Sequence, residues 1–486
     1  MPTNLLILLS IAAYFFVLLG LSRLTSRGQG NDDFYRGGRR SPWWAVAYGM
    51  IGASISGVTF VSVPGMVEQS GMTYLQMCLG FVPGYILVAF VLLPLYYRQN
   101  LISIYTYLQQ RLGARAYRTG ASYFLLSKLI GASIRLYLVC SILQTMVFGA
   151  MGVPFIATAA GALLLIWLYT RSGGIRTIVW SDCLQTTILL LAITLVGYSV
   201  CTQMGVDAGG AWNVVSDSTM SRMFNFEDAS ARNYFWKQFV SGIFVVIVMT
   251  GLDQDMMQKN LTCRTLQESQ RNMVVNGLLY LPVNMLFLSM GVLLTLFARQ
   301  NGVTATGDQL LPTLCGNGML GTAAMMCFVL GMVAAAFSSA DSAMTSLTTS
   351  VCVDILRRPD DERLRRRIHP MVMICMLLVI LGVRAMGSQS VIDAVYTICG
   401  YTYGPLLGLF AFGILTRRVP RERIILPVCL AAPLLCYAAD VLVAQYFAYR
   451  FGYELLLLNG MLTFAGLSIG STAELGTDDT RGHRHV

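Results

Sequence analysis

Thirteen apolar runs, most of them close to the length that crosses a bilayer, follow one another along the whole chain. They lie at roughly 3–24, 43–66, 72–97, 119–149, 152–170, 177–201, 234–252, 272–298, 319–352, 369–387, 390–416, 424–446 and 452–471. A helix of about 20 apolar residues spans the hydrocarbon core. Backbone polar groups find no water there, so each run must close its hydrogen bonds within itself. Charged residues make up 12% of the 486 residues, against about 25% for soluble domains. The chain therefore reads as an all-α polytopic membrane protein, one helical bundle with no room for a sizeable soluble domain.

Charge sets the orientation. Basic residues recur in every second loop: Arg27, Arg36, Arg39 and Arg40; Arg98, Arg111, Arg115 and Arg118; Arg171 and Arg176; Lys259 and Arg264; RRPDDERLRRR at 357–367; RRVPRER at 417–423. Short loops rich in Lys and Arg stay in the cytoplasm, so the N-terminus is expected outside, the C-terminus inside, and the span count odd. Loop 202–233 has mixed charge and fits the pattern least. The net charge of +10 is this topology signal and does not point to nucleic acid. The 12 cysteines are scattered without a CxxC pair, and the histidines number three, so disulfide and metal frameworks lack support. No Lys or Arg precedes the first run, as a signal peptide would require. Motifs such as HExxH or a Walker A loop are absent, which argues against an enzyme. No kinase or receiver domain follows residue 471, which argues against a sensor.

Three stretches carry polar chemistry inside apolar runs. In 331–355, Ala335, Ser338 and Ser339 fall at i, i+3 and i+4 and share a helical face, which Ser342 continues beside Asp341. Hard cations take hydroxyl, carboxylate and carbonyl oxygens; the same small residues also let helices pack closely, and both readings stand. Span 43–66 holds Gly49, Gly52, Gly57 and Pro64 among Ser54, Ser56 and Thr59, and span 234–252 holds Gly242 and Gly251. Interrupted helices in corresponding positions mark a transporter's central site. Lying five spans apart, they suggest repeats of opposite orientation at 43–201 and 234–416. Around these lie an extra helix in 1–30, a loop at 202–233, two helices at 424–471 and a tail at 472–486. Third, span 119–149 contains Lys128 and Arg135. Arg135 suits bidentate binding of a solute carboxylate, or a structural pair with Asp341 or Asp182.

Several of these motifs resemble the sodium:solute symporter family, whose members have the inverted five-plus-five-helix fold of the leucine transporter. DDFYRGGRRSPWWAVAYGM (32–50) is similar to its entry into the first core helix, GGIRTIVWSDCLQ (173–185) to its fifth, DQDMMQKNL (253–261) to its loop after the sixth, AAAFSSADS (334–342) to its eighth, and GYTYGPLLGLFAFGIL (400–415) to its tenth. The resemblance implies a sodium site made by carbonyls of Gly52, Ile55 and Ala335 with the hydroxyls of Ser338 and Ser339. Gly52 stands where relatives often have Ala. A second sodium site is implied at Asp182, Ser338, Asp341 and Ser342. There a proton is the alternative ion, and capping of its helix is the alternative role for Asp182. SGVTF (56–60) resembles the motif of sialic-acid-transporting members and puts Ser56 and Thr59 on the solute carboxylate, although Arg135 aligns about one turn from those members' arginine. Phe60, Gln76 and Tyr137 are further pocket candidates. Sugar-transporting members have Glu-Gln where this chain has Val58-Thr59. The implied function is import of a small carboxylated solute by a monomer in the inner cell membrane, with one or two sodium ions and no organic cofactor. Sodium/sugar or sodium/amino-acid symport is the alternative, and a channel or sensor the outside class.

Overall fold

The computed structural model describes residues 3–25, 31–99, 101–386, 391–447, 449 and 451–472. Among these, nine helices are long and apolar enough to cross a membrane, or eleven if two sharply bent pairs each count as one span. Two further apolar helices, Phe155–Arg171 and Leu455–Ile469, are shorter. All of these elements fall on the expected runs. The tail 473–486 and the connection 387–390 lie outside the described residues.

Both glycine-bearing spans are broken. The first runs Trp43–Ser54 and resumes at Gly57–Ser70 after a bend of 56°. Ile55 and Ser56 leave the helical region (ψ 85° and 169°), and Gly57 follows with its α-carbon packed on a neighbour. A Cβ there would stand 3.4 Å from the Met332 carbonyl and 2.7 Å from Val139. The second runs Phe235–Gly251 and resumes at Gln254–Asn260 after 69°. This corrects the reading of 253–261 as a loop. Asp253 caps the short helix by accepting from the Asp255 amide at 2.9 Å, and every residue of it is buried. A cap, two methionines and a preceding glycine suffice to continue the span at a new angle.

Other boundaries shift for local reasons. The run Phe155–Met204 is interrupted at Gly174 (φ 51°, ψ −147°), so Phe155–Arg171 and Gly174–Met204 meet at a tight turn. A Cβ on Gly174 would lie 2.5 Å from the Phe34 α-carbon, so this glycine serves both the turn and the packing. The basic run 357–367 is helical from Glu362, and its Arg365 is buried over the Phe34 ring. The N-terminal helix Thr3–Thr25 is docked on Phe155–Arg171: Ser22 Oγ donates to the Tyr169 carbonyl at 2.6 Å, and Phe15 meets the Tyr169 ring edge-on. Within loop 202–233, Ala208–Ser216 is a helix capped by Asp207. The loop is pinned by Gln76, whose side chain accepts from the Asn225 amide and donates to the Asn233 carbonyl, both at 2.9 Å.

The first broken span lies tight against Gly174–Met204. A Cβ on Gly52 would come within 2.1 Å of Thr186 Oγ1, and one on Gly49 within 2.9 Å of Asp182 Cβ. An alanine at position 52 therefore does not fit here unless Thr186 yields. Gly52→Ala is expected to destabilise the purified protein by about 1–3 kcal/mol, as overpacking does. Adding Thr186→Ala should restore part of that loss, read as thermal melting of the single and double variants.

Candidate functional site

The helix Gly321–Ile355, called here the serine helix, is buried without a break from Gly331 to Ser350. Its hydroxyls cannot reach water and must bond within the protein. Ser339 Oγ turns back on its own helix, 3.1 Å from the Ala335 carbonyl, so two of the expected sodium ligands are already neighbours. Met332 and Ala336 pack on the break of the first span through Gly57. The Gly52 carbonyl belongs to the last turn before that break, where helical carbonyls lack partners. The break and the oxygen face of the serine helix thus meet at one level. Ser54 and Ser56 from the break line the same cavity as Ser339.

Ser338 bonds to a different helix. It donates to Asp182 Oδ1 at 2.5 Å. The second oxygen of Asp182 lies 2.8 Å from the Lys259 ammonium, with both side chains 1% exposed. Asp341 is held separately, by the Tyr169 hydroxyl at 2.7 Å and Ser342 Oγ at 3.1 Å. The four residues expected at the second ion site are therefore neighbours, but the positive charge beside Asp182 is a lysine of the protein. That lysine was read as a cytoplasmic loop charge. The signal that could have found it is the density of charge in DQDMMQK, directly after an interrupted apolar span. Asp182 also sits two turns inside its helix, which starts at Gly174, so it does not cap it. Neither Asp182 nor Asp341 is paired with Arg135.

The central cavity, about 100 Å³, lies between the two breaks. Ser56, Thr59 and Arg135 line it, with Ser127, Lys128, Tyr85, Thr250, Asp253 and Asp255. Lys128 is engaged: its ammonium lies 2.6 Å from Asp255 and 3.1 Å from Asp253, and Tyr403 donates to Asp253 at 2.6 Å. Among the described residues no ion pair or hydrogen bond holds Arg135. Three pocket candidates lie elsewhere. Phe60 is fully buried against Phe287 and Phe328, Gln76 holds the loop, and Tyr137 packs on Phe155. An aromatic next to an apolar helix and a glutamine at a helix start had each an alternative partner that spacing alone did not reveal.

The model of the sodium:solute symporter family matches residues 34–423. The chain is 25% identical to the sodium/sialic acid symporter of Aliivibrio fischeri, over 94% of this chain and 92% of that one. It is 27% identical to the sodium/iodide cotransporter of Homo sapiens, over 81% of this chain and 62% of that one. The solved structure of a sodium-coupled sialic acid symporter, substrate-bound and outward-open, superposes with a TM-score of 0.82 at 21% identity, covering 96% of this chain and 97% of that one.

The Lys259–Asp182 pair gives a test independent of any ligand. Removing one partner of a buried pair leaves an uncompensated charge and costs about 3–5 kcal/mol. Lys259→Met should therefore lower the melting temperature markedly. Combining it with Asp182→Asn, which removes the stranded charge, should recover most of the loss. Equal melting of the single variant and the parent would show the pair to be energetically idle.

Proposed function

Because this chain belongs to the sodium:solute symporter family, we propose that the solute it carries with sodium is a carboxylated one, sialic acid or another organic acid. The observation that carries this reading is Arg135, a guanidinium on the cavity wall with Ser56 and Thr59, which forms no ion pair among the described residues while Asp253 and Asp255 are taken by Lys128. An arginine within a membrane span faces a cavity or a partner, and a carboxylate matches its fork. The relatives named above carry sialic acid and iodide, both anions. Val58-Thr59 in place of Glu-Gln also argues against a neutral sugar.

In this reading sodium binds the carbonyls of Gly52, Ile55 and Ala335 and the hydroxyls of Ser338 and Ser339. It ties the first broken span to the serine helix while the cavity is open to the outside. Solute then enters, the helices carrying the two breaks rock against the rest, and both are released to the cytoplasm. Each positive charge moved inward through 100 mV contributes about 2.3 kcal/mol. Coupling is reciprocal, so sodium tightens solute binding by the factor with which solute tightens sodium binding. Thirteen spans, repeats at 43–201 and 234–416, an external N-terminus, a cytoplasmic C-terminus, a monomer and the inner cell membrane complete the proposal.

The test is thermal stabilisation of the purified protein by acids, sugars and amino acids, in sodium and in potassium. A carboxylated solute should stabilise only in sodium, and Arg135→Ala should abolish the effect. Stabilisation by a neutral sugar that survives Arg135→Ala would overturn the solute class. Ser339→Ala should raise the sodium concentration needed for half-maximal stabilisation about tenfold or more, equivalent to about 1.4 kcal/mol, with melting in potassium unchanged.

A further inference from the structure

Three arginines at one corner of the bundle take no part in the site described above. Arg115 is the second residue of the helix Ala114–Leu143, and Arg421 and Arg423 flank Glu422, the first residue of the helix Glu422–Phe447. With Glu422 and Ile424 they line a recess of about 640 Å³. The corner is firmly built. Glu422 Oε1 accepts from the Ala114 amide at 3.2 Å. The Arg421 amide donates to the Gly470 carbonyl at 3.2 Å, and Val419–Pro420 pairs with Ser471–Thr472 in a short antiparallel ladder. Arg111 reaches across to the Thr416 carbonyl at 2.6 Å. The ends of Ala114–Leu143, Val391–Leu415, Glu422–Phe447 and Leu455–Ile469 are thus fixed around one opening.

The recess carries unspent positive charge. Glu422 is the one acid on its wall, and an oxygen of that acid is already given to the Ala114 amide. Among the described residues no ion pair or hydrogen bond holds the guanidinium of Arg115, Arg421 or Arg423. Three guanidiniums against one carboxylate leave an excess of two positive charges. The positive-inside rule accounts for basic loops, but it does not require two loops far apart in sequence to share one recess. The recess also borders on lipid. Ile469, just before Gly470, is 88% exposed, and Leu415, just before Thr416, is 75% exposed. Large apolar side chains left bare at the ends of membrane helices mark a surface for acyl chains.

We propose that Arg115, Arg421 and Arg423 bind the phosphodiester of an anionic phospholipid whose acyl chains lie along Leu415 and Ile469. The guanidinium fork matches two phosphate oxygens at once, and basic recesses between membrane helices take such headgroups. A headgroup held here touches the core helix Ala114–Leu143 and the helix Glu422–Phe447 together. It therefore clamps to the core the helices that lie outside the two expected repeats. The phosphate site rests on these contacts alone and is independent of the solute and sodium readings. Its place in the inner leaflet rests on the topology proposed above.

The experiment is thermal melting of the purified full-length protein in a neutral detergent. Phosphatidylglycerol, phosphatidylcholine with the same chains, or inorganic phosphate is added. Phosphatidylglycerol should raise the melting temperature saturably, and the other two should not. Each arginine beside an anionic headgroup is worth about fivefold in affinity. Arg115→Gln should therefore raise the lipid concentration for half-maximal shift about fivefold. Arg421→Gln combined with Arg423→Gln should raise it about 25-fold, with melting in detergent alone unchanged. Arg417→Gln combined with Arg418→Gln removes the same charge from an exposed turn outside the recess and should keep the wild-type response. An equal loss in both double variants would reduce the effect to diffuse surface charge and overturn the proposal. So would an undiminished phosphatidylglycerol response in Arg421→Gln with Arg423→Gln. An equal shift from inorganic phosphate would overturn the lipid as occupant and make the ligand a free phosphate.

Discussion

A charge inside a bilayer must find its opposite within the protein, and in this chain that requirement joins the helices around the cavity. Lys259 lies on the second half of the second broken span, Asp182 on the helix starting at Gly174, and Ser338 on the serine helix. One ammonium, one carboxylate and one hydroxyl thus hold three elements in register. Lys128, Asp253 and Asp255 repeat the arrangement at the cavity wall, with Tyr403 added from Val391–Leu415. Taking these groups out of water is costly, and only close geometry offsets it. The pairs therefore specify how the helices meet more than they strengthen the bundle.

The breaks depend on this framework. A helix that unwinds in a membrane exposes donors and acceptors that lipid cannot satisfy, so the unwound residues must face protein or a cavity. Around the second break the supply is explicit: the Tyr96 hydroxyl takes the Gly251 carbonyl and the Tyr105 hydroxyl the Leu252 carbonyl, both at 2.9 Å. At the first break no tyrosine hydroxyl among the described residues donates to a freed carbonyl, and Ser54 and Ser56 line the cavity with Ser339. One interruption is capped by the protein and the other is left with oxygens turned toward the cavity.

Much of this was legible in residues. The helical class followed from run length, and the interrupted spans from Gly49, Gly52, Gly57 and Gly251, because glycine in an apolar helix needs a reason. Ser338, Ser339 and Asp341 stood out because hydroxyls and a carboxylate are rare in such runs. What escaped was partner choice. Lys259 near a span's end looks the same whether it faces water or Asp182, since the bend of 69° that turns it inward leaves no mark in hydropathy. Asp182 after Trp180 resembled a helix start until the true start at Gly174 moved it two turns inside. Gln76 and Phe60 carry the right chemistry for a pocket, and only tertiary packing assigns one to a loop and the other to the core.

The same Gln76 has a reach beyond the residues it touches. It fastens Asn225 and Asn233 to the helix Tyr74–Leu87, and the neighbouring Met72 amide takes the carbonyls of Met220 and Arg222. That helix is pressed against the first half of the second broken span so closely that a Cβ on Gly80 would lie 2.0 Å from the Phe239 carbonyl. The loop between 202 and 233 consequently has no independent hinge at these points and rides with both helices. In the rocking cycle proposed above, a protein raised to grip this loop would hold both helices by a handle and arrest the cycle without ever entering the cavity.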